Sequence, residues 1–150
     1  MEGLLLREVA VSSDKGAAIP PLTRELLPSV PWFVRCFGSV NNRWNESVAD
    51  AILVTRDRSI VMKAWKPVLA DPDLVQRILN TIGDEMPWKY PHFIPQDECL
   101  IVFKLWWHGG VDNLERECCM LALQKVCEKD LPLSLLVTRP EITLGEFLVA

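Results

Sequence analysis

The order of elements along the 150 residues predicts a single α+β domain, a mixed or antiparallel sheet with two main helices packed on one face. Three observations carry that expectation. Segments 48–65 and 99–107 hold apolar, partly β-branched runs bounded by polar turns, the pattern of a hairpin and a strand. Segments 72–83 and 113–129 repeat apolar residues at helical spacing behind recognisable start signals. The sequence holds no internal repeat or low-complexity tract, which favours one compact unit over residues 1–150.

Residues 1–31 read as a proline-rich N-terminal strap ahead of an α+β core at 32–150. Pro20, Pro21, Pro28 and Pro31 remove backbone donors and restrict the residues before them. At most one or two helical turns fit there, with Leu22, Leu26 and Leu27 on one face. Trp32, Phe33, Cys36 and Phe37 then form a short apolar stripe that ends at Gly38.

The hairpin has one arm at Ala51–Val54, a turn through Arg56, Asp57, Arg58 and Ser59, and a second arm at Ile60–Trp65. Trp44, Val48, Ala51 and Ile52 also fall at helical spacing, but the strand is preferred. The next helix carries the fullest set of signals. Asp71 caps it, Pro72 opens it, Leu74, Val75, Ile78, Leu79 and Ile82 make its face, and Gly83 marks its expected stop.

Met86–Pro95, with three prolines among Trp88, Tyr90, His92 and Phe93, is an extended aromatic loop. Cys99–Trp107 is expected to be a strand, and His108, Gly109 and Gly110 its turn. Asp112 with Glu115 starts a second helix reaching about Lys129, its broad apolar side formed by Cys119, Ala122, Leu123, Val126 and Cys127. Leu133–Thr138 reads as a further strand, and Ile142–Val149 as a last apolar element of either type.

Composition narrows the function classes. With 49% hydrophobic and 24% charged residues and a net charge of −4, the chain is neither disordered nor a purely electrostatic binder of polyanions. The start, Met1 to Glu8, lacks the basic and apolar regions of an export signal, and charges interrupt every apolar run before it reaches membrane-spanning length. Five cysteines without a C-x-x-C pair read as reduced core thiols, which favours the cytoplasm or nucleus.

One pattern stands out. The spelling V-x-K-x-W occurs at 61–65 and again at 102–106. If both stretches are strands of one sheet, alternation puts Lys63, Trp65, Lys104 and Trp106 on a common face, beside the basic turn with Arg56 and Arg58. Three readings compete: rings covered by loops with lysine stems along them, a protein-binding face, and a platform where single-stranded nucleic acid stacks. Net acidity weighs against the last.

Enzyme signatures are sparse. The sequence has no phosphate-binding glycine string, its two histidines sit far apart, and Cys99 with His108 would stand at opposite ends of one strand. The cysteine and histidine spacings match no common zinc motif. The expected function is therefore non-catalytic, without metal or cofactor: a regulatory or adaptor domain that binds a partner protein, or a second copy of itself, through the Trp/Lys face. The alternative is single-stranded nucleic-acid binding through the same face.

Overall fold

The computed structural model describes residues 19–25, 49–105, 113–139 and 141–150. Among them the chain is helical, with no strand. Residues 49–54 (α1) are helical and are followed by Arg58–Trp65 (α2), Pro72–Glu85 (α3), Cys99–Val102 (α4), Asn113–Cys127 (α5), Ser134–Thr138 (α6) and Leu144–Val149 (α7). The only β-type pairing among the described residues is one isolated antiparallel bridge between Glu98 and Thr143. The expected α+β layering is overturned.

The long helix α3 obeys its sequence signals. Asp71 accepts from the Asp73 N–H at 3.0 Å, Pro72 occupies the first turn, and Val75, Ile78, Leu79 and Ile82 are buried. Gly83 does not end the helix, which continues to Glu85. Its role is steric: a Cβ there would stand 2.9 Å from Pro91 Cβ, so the missing side chain lets the 86–95 loop close against α3. That loop is irregular, as its prolines require.

The expected hairpin is two helices. Ile52 and Leu53 of α1 and Val61 and Trp65 of α2 are buried, the latter pair one helical turn apart. Arg56 and Asp57, expected as a hairpin turn, instead form a short break between helices.

The expected strand at 99–107 is overturned over its described part, where Cys99–Val102 is a helical turn. Cys99, Ile101, Val102 and Phe103 are all fully buried, so the run is apolar on every side and its periodicity says nothing about element type. Lys104, at φ 52°, turns the chain out of α4. The strand expected at Leu133–Thr138 is a short helix.

The last element is also helical. Thr143 and Glu146 form a reciprocal capping box, the Thr143 N–H donating to Glu146 at 3.0 Å and the Glu146 N–H to Thr143 at 3.3 Å. Phe147 on this helix meets Phe103 edge-on at 5.8 Å.

The two main helices exist as expected, but α5 packs on α3 and α2 also leans on α3, with no sheet between them. No helix among the described residues is long and apolar enough to cross a membrane. The expected 32–38 helix, the 108–110 turn, the Asp112 cap, Cys36, most of the strap and Trp106 lie outside the described residues.

Candidate functional site

Among the described residues, the expected site residues do not share a face. Trp65 is 1% exposed, and its indole N–H donates to the Phe93 carbonyl at 2.9 Å, so the ring is interior and its one polar atom is satisfied. Lys63, two positions earlier on α2, is exposed. Two positions on a helix differ by about 200°, whereas on a strand they would coincide in direction. Arg58, at the start of the same helix, is also exposed.

Arg56 is buried as one half of an ion pair. Its guanidinium donates to both carboxylate oxygens of Asp97, at 2.8 and 3.2 Å, and to the carbonyls of Pro20 and His92 at 2.6 and 3.2 Å. Asp97 also accepts the Leu22 N–H at 2.7 Å and the Ile94 N–H at 2.8 Å. Burial pushes the Asp97 carboxyl up from its ordinary value, opposed by the Arg56 charge and these hydrogen bonds. The pair fastens residues 20–22 to the 92–97 loop, and the Asp97 carbonyl receives the first N–H of α7 at 2.7 Å.

Lys104 is buried too. Its ammonium lies 4.7 Å from the centroid of the Trp88 ring, a cation–π contact, and its carbonyl accepts from Arg116 of α5 at 2.6 Å. Trp88 in turn donates to the Val102 carbonyl at 2.8 Å and packs edge-on against Phe93 at 5.5 Å. Trp65, Arg56 and Lys104 are therefore three internal supports around the 88–104 segment.

A different surface carries exposed apolar groups. On α5, Leu114 is 60% and Leu121 is 59% exposed, and Cys118 between them is exposed as well. Spacings of four and three residues put these side chains on one stripe, opposite the buried Cys119, Met120 and Leu123 that face the core. Cys118 corrects the reading of the cysteines as core thiols, while Cys99 and Cys119 fit it.

Charges grade along the stripe. Glu115 and Glu117 border its N-terminal end, and exposed Lys125 continues it at the C-terminal end. The sequence expectation gives this helix only one apolar side, which leaves the stripe out. The available signal was a helix with apolar residues almost all round, which an ordinary surface helix does not need.

Burial pushes the Cys119 thiol up to about 12 and raises Cys99 further, so both are inert at neutral pH. Cys127, half-buried, is also raised by burial. No cluster of His, Cys, Asp and Glu among the described residues is arranged to hold a metal ion. No protein-family model, curated protein or solved structure matches this chain.

Proposed function

We propose that the chain is a non-catalytic protein-binding domain of the cytoplasm or nucleus, working through the outer face of α5. The observation that carries this is the Leu114, Cys118, Leu121 stripe on a helix whose opposite face is already packed on α3. Leaving a leucine in water is unfavourable, and covering it against a partner stabilises the complex by about 1.5–3 kcal/mol for each side chain fully buried. The proposed surface replaces the Trp/Lys face: Trp65 and Lys104 are interior and give a partner, or a stacking base, nothing to touch. The compartment part of this reading rests on the sequence, whose five cysteines form no C-x-x-C pair.

The test is site-specific photocrosslinking in cells, with a photoreactive side chain placed at Leu121 and, as a control, at exposed Asn80 of α3. The reading expects a defined protein adduct from position 121, absent from position 80 and lost when Leu114→Asp is added. Equal adducts from both positions, or none from 121, would overturn it.

A further inference from the structure

Resting on the proposed binding role of α5, we infer that the partner is a second copy of this chain, docked antiparallel, helix α5 against helix α5. The stripe is complementary to itself, the condition a two-fold interface must meet. Leu114, Cys118, Leu121 and Lys125 follow one another at spacings of four, three and four, so the row reads the same from either end. A two-fold axis between positions 119 and 120 sets Cys118 of each copy against Leu121 of the other. It also sets Leu114 beneath the aliphatic stem of Lys125.

The charges then complete the match. The Lys125 ammonium of one copy reaches one of the two carboxylates, Glu115 or Glu117, that flank Leu114 on opposite sides in the other copy, and the same pairing recurs at the opposite end. In a parallel arrangement acid would meet acid and base would meet base. A second copy supplies the matching charge and the 4-3-4 spacing by construction.

The matched row runs over twelve residues, Leu114 to Lys125, about 16 Å of helix at 1.5 Å per residue. Its three apolar side chains cover much less than the roughly 800 Å² per partner of a standard interface. The pairing is accordingly weak and reversible, in the mid-micromolar range or above, and it is governed by concentration.

Sedimentation equilibrium of the whole chain over a wide concentration series tests this, with helix content followed alongside by circular dichroism. The wild type is expected to rise from the 17.1 kDa monomer toward twice that mass, and Leu121→Asp to stay monomeric. Two charge variants give the sharper arm, because they change only exposed side chains. Glu115→Lys with Glu117→Lys makes both ends of the row basic, and Lys125→Glu makes both ends acidic. Each is expected to stay monomeric alone, and the two to pair when mixed.

A wild type that is monomeric throughout, a Leu121→Asp variant that associates like the wild type, or charge variants that do not pair on mixing would overturn the inference. The two readings separate cleanly. A monomeric chain that still gives a position-121 adduct with a different protein overturns only the self-pairing, and the lack of both self-association and adduct overturns the binding role as well.

Discussion

Asp97 and Arg56, 41 residues apart in sequence, form a buried ion pair at 2.8 Å in which the carboxylate also holds the backbone of Leu22 and Ile94. A bidentate guanidinium and two backbone donors together satisfy the carboxylate, and that is what makes burial of this charge tolerable. The pair joins the break between α1 and α2 to the 20–22 segment and the 92–97 loop at one point.

Removing one partner leaves the other charge stranded. Asp97→Ala is expected to cost about 3–5 kcal/mol in urea unfolding, or to prevent folding outright. The double change Arg56→Met with Asp97→Leu is expected to cost less than Asp97→Ala alone, since it leaves no buried charge behind. A double variant at least as unstable as the single one would show that the pair's worth lies in its geometry rather than in mutual neutralisation.

Trp65 behaves as core. Trp65→Ala is expected to cost about 3–5 kcal/mol through the cavity it opens. Trp65→Phe is expected to cost less, losing some volume and the hydrogen bond to the Phe93 carbonyl. Thermal or urea unfolding reads both. A Trp65→Ala variant within about 0.5 kcal/mol of wild type would return the ring to the surface.

These supports explain how far the sequence could be read. Helix α3 was legible because cap, first-turn proline and apolar stripe are local signals that agree, from Asp71 through Ile82. The 99–105 segment was not, since a run apolar on all sides lacks periodicity and its turn depends on tertiary packing of Lys104 on Trp88. The V-x-K-x-W resemblance misled for the same reason. It joins two lysines in similar spelling but in different settings, Lys63 exposed on a regular helix and Lys104 at positive φ with its ammonium over an indole. The α5 stripe is present in the sequence as residues 114, 118 and 121, but three apolar groups opposite a stronger core face look like excess.

Thiol chemistry separates the cysteines. Cys118 is expected to react with an aromatic disulfide reagent at neutral pH well before Cys127, and Cys99 and Cys119 only on unfolding. Mass mapping of the labelled chain reads the order. Rapid native labelling of Cys119 would place it outside the α3–α5 contact and contradict the packing.

The α7 cap gives a pH signature. Hydrogen bonds from the Thr143 backbone and hydroxyl hold the Glu146 carboxyl below its ordinary 4.5, because both favour the ionised form. A carboxyl lowered in the folded state stabilises above its unfolded value, and that contribution is lost as pH falls through the folded value. The melting-temperature gap between wild type and Glu146→Gln is therefore expected to shrink on acidification from neutral pH to below about 4.5. A gap that stayed constant across that range would remove the charge from the account of this cap.

The most direct measurement is hydroxyl-radical footprinting of the native chain at low and at high concentration, read residue by residue by mass spectrometry. The account predicts that Leu114, Cys118 and Leu121 are oxidised readily in dilute solution and become protected on concentration, with exposed Val137 unchanged and Trp65 and Phe93 protected throughout. Oxidation of Trp65 as fast as Leu121 would contradict the helical core. An α5 stripe labelled equally at every concentration would contradict its pairing with a second copy.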